Sequence, residues 1–127
     1  MRDYKKEYEE RVAFIRDLLE KSGAKGIVYG NSGGKDSALV GILCKAACDN
    51  TVGIIMPCAS KRNFGQDAED ARIAADQYGI ETRFIDLTPV REAEMQQLSS
   101  LTEVTPAAAV NIAPRLRMTT LYAVAAS

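Results

Sequence analysis

The residues best suited to chemistry in this chain stand together in one string, Gly30-Asn31-Ser32-Gly33-Gly34-Lys35-Asp36-Ser37. Gly33 and Gly34 allow successive backbone N–H groups to crowd around an anion, Ser32 and Ser37 offer hydroxyls, and Lys35 brings a fixed positive charge. A helix beginning at this point would add the positive end of its dipole. The pattern is that of a phosphate cradle. The bland alternative, a glycine turn with Lys35 and Asp36 in solvent, suits an isolated glycine pair better than this whole string placed after a strand.

Spacing separates this loop from better-known phosphate loops. The Walker pattern G-x-x-x-x-G-K-S/T requires four residues between its glycines and a hydroxyl after the lysine. Here three residues separate Gly30 from Gly34, and Asp36 follows Lys35. Glycines at 30, 33 and 34 also miss the G-x-G-x-x-G of dinucleotide folds. Asp36 is the informative oddity, since a carboxylate in a phosphate loop repels the ligand unless a divalent cation bridges the two. A carboxylate with phosphate oxygens is the usual environment of Mg2+.

Composition narrows the chemistry further. The 127 residues contain no His, which excludes Ser-His-Asp and Cys-His catalysis and His-ligated metals and leaves acid–base or metal work to carboxylates and Lys. With 16 basic and 17 acidic residues the chain carries a net charge of −1, so no strong field awaits a nucleic acid or an anionic membrane and any anion needs a local site. The charged start Met1-Arg2-Asp3-Tyr4-Lys5-Lys6-Glu7 is unlike a signal peptide, and no run is long and apolar enough for a membrane span, so the expected location is cytoplasmic. Three cysteines, an odd number, suit reduced thiols: Cys44 and Cys48 fall on one helix face and Cys58 near a strand end, a trio without a fourth metal ligand.

The elements that must position the loop follow from periodicity. Tyr8, Val12, Ile15 and Leu19 mark an amphipathic helix over 4–21, ended near Ser22-Gly23. Residues 26–29 read as a buried strand that feeds the glycine loop and a helix through Cys48. A second strand over 51–56 stops at Pro57, and a polar loop over 60–65 precedes an Ala-rich helix from 67 to 78, capped by Gly79. Asp67, Glu69 and Asp70 at its start read as charges that complement the helix dipole. A third strand is expected over 82–87, then a helix to about 98 with Thr88 as cap and Pro89 in its first turn. Residues 99–109 leave two options, a helix opened by Thr105-Pro106 or a loop over the site. Helical spacing returns from Asn111 to the end through Ile112, Leu116, Leu121 and Val124, with Met118 offset. Strands alternating with helices imply a parallel sheet with right-handed crossovers, and the length suits one domain over 1–127. The last residues, Ala125-Ala126-Ser127, lie in a helical pattern with no cap glycine, as expected of a truncated product.

Ser32-Gly33-Gly34-Lys35-Asp36-Ser37 resembles the SGGxDS pyrophosphate loop of the N-type ATP pyrophosphatases, which split ATP between its α and β phosphates to adenylate a substrate. Within that superfamily, Met56-Pro57 with Gln66-Asp67-Ala68-Glu69-Asp70-Ala71 is similar to the region after the second strand of NAD synthetases. Asn111-Ile112-Ala113-Pro114-Arg115-Leu116-Arg117-Met118 is similar to their N-x-x-A-R-x-R-M helix start, with Pro114 in place of Ala. The likeness covers nearly the whole chain and identifies it as resembling an ammonia-dependent NAD synthetase. The fold implied is α/β, three-layer α/β/α with a Rossmann-like parallel sheet of the adenine nucleotide alpha hydrolase-like kind, present here in incomplete form.

The resemblance also implies roles. Asn31 and Ser32 through Ser37 would bind ATP, with Lys35 and Asp36 catalytic and Asp36 holding Mg2+. Gln66 would lie by the nucleotide, or equally be a surface residue. Arg115, and second to it Arg117, would meet deamido-NAD; two residues apart, they do not share a helical face, so one would enter the site and the other stay outside. The reaction implied is transfer of AMP from ATP to the nicotinate carboxylate, then attack of ammonia on the acyl-adenylate to give NAD. Free ammonia is the expected nitrogen source because the chain begins one helix before the sheet, and a homodimer is expected from the family. The family's later G-T-x-x-E segment and its Lys- and Asp-bearing deamido-NAD segments have no counterpart here, so weak nucleotide binding and little or no turnover are expected of this chain. The alternatives are a noncatalytic nucleotide-binding or dimerisation fragment, and another N-type ATP pyrophosphatase; the absence of a basic patch argues against one directed at tRNA.

Overall fold

Asp3 caps the first helix, its carboxylate accepting the Lys6 N–H at 3.1 Å, and Gly23 ends that helix in the left-handed region at φ +72°. The computed structural model describes residues 3–58 and 67–127. Helix α1 (Tyr4–Ser22) buries Val12 and packs on helix α2. Strand β1 (Ile27–Gly30) runs into the glycine loop, and α2 (Lys35–Ala47) starts directly after Gly34. Strand β2 (Thr51–Ile55), helix α3 (Ala68–Gln77) and strand β3 (Glu81–Phe84) follow, then α4 (Thr88–Ser99), the one-turn α5 (Pro106–Ala109) and α6 (Ile112–Ala126). The polar loop expected over 60–65 lies outside the described residues.

The three strands form one parallel sheet in the order β1-β2-β3, with Ile27 to Gly30 opposite Thr51 to Ile54 and Val52 to Ile55 opposite Glu81 to Phe84. Alternation of side chains then sorts the core into two faces. Val28, Val52 and Ile54 point to the face covered by Leu116, Leu121 and Val124 of α6. Tyr29 and Ile55 point the other way, toward α3, where Ala68, Ala71 and Ala75 meet them. Helices on both faces of a parallel sheet make the three-layer α/β/α arrangement expected from the sequence.

Tyr29 keys β2 and α2 together. A Cβ at Gly53 would come within 2.9 Å of the phenol ring, and a Cβ at Gly41 would run into its hydroxyl, so the ring occupies space that two missing side chains leave open. This close packing explains glycines inside a strand and a helix, where the residue otherwise weakens both.

Two expectations are corrected in detail and one open choice is decided. Strand β3 begins at Glu81 and its regular part ends at Phe84, although Ile85 and Leu87 still donate to the carbonyls of Ile55 and Pro57, each at 2.9 Å. Thr88 does not cap α4: it is the first helical residue, and Asp86 Oδ1 accepts its N–H at 2.9 Å, doing what a capping side chain does. Between 99 and 109 the helical option is realised, with the Thr105 hydroxyl accepting the Ala108 N–H at 3.2 Å. Cys44 and Cys58 are buried, Cys48 is half-buried, and all three are free thiols. Among the described residues no helix is long and apolar enough to cross a membrane.

Candidate functional site

The first βα unit delivers the glycine loop to the carboxyl end of the sheet, where parallel α/β folds bind their ligands. A cavity of about 450 Å³ opens there, floored by Ser32, Gly33 and Gly34, backed by Ile55, Met56 and Pro57 at the end of β2, and walled by Asp67 and Asp70 of the α3 start. Arg117 reaches it from α6. Ligand pockets commonly have this volume and this mix of apolar lining with a few polar groups.

The loop is internally bonded. Asn31 continues β1 by donating its N–H to the Ile54 carbonyl at 2.9 Å. The Ser37 hydroxyl donates to the Gly34 carbonyl at 3.1 Å and accepts the Ser32 N–H at 3.2 Å. Its single proton being used, the 3.1 Å contact between the two hydroxyls must carry the proton of Ser32. Ser32 Oγ in turn accepts the Gly34 N–H at 3.4 Å. Gly33 has φ +87°, and a Cβ there would also run into the backbone carbonyl of Asp67, so glycine is required on two independent grounds.

Asn31 is 4 % exposed and spends both ends of its carboxamide on the protein. Its Nδ2 donates to the Ala71 carbonyl of α3 at 3.0 Å, and its Oδ1 accepts the Gly33 N–H at 3.2 Å. Lys35 and Asp36 are exposed in the first turn of α2, at the rim beside the cavity-lining residues. Asp36 there can share a Mg2+ ion with phosphate oxygens held by the loop, a donor set that suits a cation needing one or two carboxylates. Among the described residues no group of three or more His, Cys, Asp or Glu side chains is placed to hold a metal by itself, so an ion beside Asp36 would take its other oxygens from phosphate and water.

The two arginines separate as their spacing requires. Arg117 is half-buried, lines the cavity and donates from Nε to the Met56 carbonyl at 2.9 Å. Arg115 is exposed on α6 and is not among the cavity-lining residues. Of the two, Arg117 is the one placed at the cavity, and Pro114 is accommodated in the first turn of α6. Gln66 lies outside the described residues. Asp67 and Asp70, read from sequence as dipole-complementing charges, also face the cavity; their three-residue spacing at the start of a helix that meets the loop was the available signal.

A glycine loop joining a parallel strand to a helix, at the carboxyl end of a sheet covered on both faces, defines a Rossmann-like α/β domain. The sequence matches the NAD synthase family over residues 7–127, and the chain belongs to that family. The NH(3)-dependent NAD(+) synthetase of Finegoldia magna is 40% identical over 121 residues, covering 94% of this chain and 48% of that protein. The structure of NMN synthetase from Francisella tularensis superposes with a TM-score of 0.88 at 29% identity, covering 98% of this chain and 51% of that one. A glutamine-dependent NAD+ synthetase from Acinetobacter baumannii, in complex with ADP, gives 0.85 at 26% identity, covering 98% of this chain and 24% of that one. The chain thus spans about half the length of the curated relatives it matches.

Proposed function

We propose that this chain carries the ATP-handling part of an enzyme that amidates deamido-NAD with ammonia, giving NAD, AMP and pyrophosphate through an acyl-adenylate. The observation that carries the reading is the convergence of Ser32, Gly33 and Gly34, the start of the SGGKDS loop, with Arg117 on one cavity. ATP bound there has its leaving pyrophosphate against the loop amides, the α2 dipole and Lys35, which together stabilise charge as the α–β bond breaks. Mg2+, when bound, neutralises phosphate charge beside Asp36. Arg117, held by the Met56 carbonyl, faces the anionic acceptor; Arg115 stands outside as its second candidate, and Gln66 as a nucleotide contact. No His is needed, because the first step asks for positioning and charge neutralisation. The ADP in the Acinetobacter neighbour supports nucleotide use by this fold. A homodimer in the cytoplasm, with its thiols reduced, completes the proposal.

The Francisella neighbour supports a second reading, in which the mononucleotide is the acceptor. The same assay decides: this chain is given ATP, Mg2+ and ammonia with the dinucleotide or the mononucleotide acid, and the amide product and AMP are measured. Substantial NAD formation overturns the expectation of little turnover while supporting the activity; amide formed only from the mononucleotide supports the second reading. Binding is tested apart from turnover. Asp36→Asn is expected to weaken Mg2+-dependent ATP binding about tenfold, the scale of one lost charge-assisted contact. An unchanged affinity sinks the metal role.

A further inference from the structure

Three successive N–H groups of the loop are paired to side-chain oxygens of the loop itself: Ser32 to Ser37 Oγ, Gly33 to Asn31 Oδ1 and Gly34 to Ser32 Oγ. An anion entering the cradle has to displace these acceptors, and they are not equally displaceable. Ser32 is exposed and Ser37 half-buried, and a hydroxyl turns about one bond to become a donor to the incoming oxygen. The Asn31 carboxamide has no such freedom. It is 4 % exposed, and rotating it to free the Gly33 N–H would also break the buried 3.0 Å bond to Ala71 and set the amide nitrogen against that N–H. Turned over, the buried carboxamide would face like groups at both ends, and a buried polar group left unpaired costs about 1–3 kcal/mol.

We propose that Asn31 is a positioning residue that withholds the Gly33 N–H from the ligand and locks the loop to α3, so that the bound anion is received by Gly34 and the first amides of α2 instead. The inference rests on the phosphate-loop reading and refines it, because it divides a string that looks uniformly suited to anions into a fixed half and a receiving half. The fixed half explains why a buried amide side chain stands at the end of a strand: it holds Gly33 at φ +87° against Asp67, and the same contact sets the distance between the loop and the α3 carboxylates across the cavity.

The test is a titration of the isotopically labelled chain with inorganic pyrophosphate, followed by amide resonances and amide hydrogen exchange. In the ligand-free chain the Gly33 amide is expected to exchange about tenfold more slowly than that of Gly34, whose bond is long and ends on an exposed hydroxyl. On adding pyrophosphate, the Gly34, Lys35 and Asp36 amides should move strongly and Gly33 little. Asn31→Leu, of similar size and unable to bond either partner, should let the Gly33 amide move with the others and weaken pyrophosphate about tenfold. A Gly33 amide in the unaltered chain that moves as far as that of Gly34 overturns the assignment. If no loop amide responds, the phosphate reading fails and free-state exchange decides the role of Asn31: slow exchange at Gly33 supports the lock, and exchange as fast as Gly34 removes it.

Discussion

On one face of the sheet, α3 brings Ala68, Ala71 and Ala75 down onto Tyr29 and Ile55 until Ala71 has no exposed surface at all. On the other face α6 lies over Val28, Val52 and Ile54 without burying any of its own residues, and α4 buries none either. Residue size accounts for the contrast. The α3 alanines are covered completely because their side chains end at the sheet, and the two glycines beside Tyr29 make room for its ring, whereas the longer side chains of α6 keep part of their surface exposed. The glycine loop is thus fixed to the close-packed face through Asn31 and Ala71, while the arginine that faces the cavity comes from the other face and donates to the Met56 carbonyl.

Gly33→Ala should break the close-packed side most severely. The substitution meets both a positive φ and the Asp67 carbonyl, so the loop must leave α3 or the helix must move. Strain of this kind is worth about 1–3 kcal/mol before any displacement is counted. Pyrophosphate binding is expected to fall by more than about thirtyfold, with a lowered urea midpoint. Retention of full affinity would mean that the loop is not held against α3 as the contacts indicate.

How much of this was readable in the sequence depends on the range of the interactions. The strand, glycine loop and helix are local, and so are the caps at Asp3, Gly23 and Thr105; spacing and residue type disclosed most of them. The Thr88 cap failed because Asp and Thr are both competent caps and stand two residues apart, so a shift of register decides between them. The sequence also showed that Arg115 and Arg117 diverge, but the choice between them turns on where α6 sits over β2, fixed by contacts between residues some sixty positions apart such as Arg117 with Met56. For Asn31 the local string suggested a ligand contact; its bond to Ala71 is forty residues away in sequence and had no local sign.

Overpacking sharpens the contrast between the faces. Ala71→Leu adds three carbons where nothing is exposed, and is expected to cost about 1–3 kcal/mol and to carry the loop with it, lowering pyrophosphate affinity as well. Ala113→Leu in half-buried α6 is expected to change stability by about 0.5 kcal/mol or less. Equal losses from the two, in matched urea unfolding curves, would show that the two helices are seated alike.

The smallest expected effect is one of pH, and it too belongs to the close-packed side. Burial raises the Tyr29 phenol above its ordinary 10.0, with the neighbouring Cys44 adding in the same direction, and burial followed by Cys48 raises the Cys44 thiol above 9.0. In both groups the neutral form is the one the fold accommodates. The unfolded chain releases these protons at the ordinary values while the folded chain retains them, so the stabilisation is fully present below about pH 9 and is lost as pH rises through the raised values. Unfolding followed from about pH 8 to about pH 10 should therefore show a decline that Cys44→Ala, measured against its own lower starting stability, shows less steeply. The same burial predicts that iodoacetamide modifies half-buried Cys48 before Cys44. Identical alkaline slopes for the two proteins would place the Cys44 thiol in a setting that accepts its charge, which a tightly closed face around Tyr29 does not.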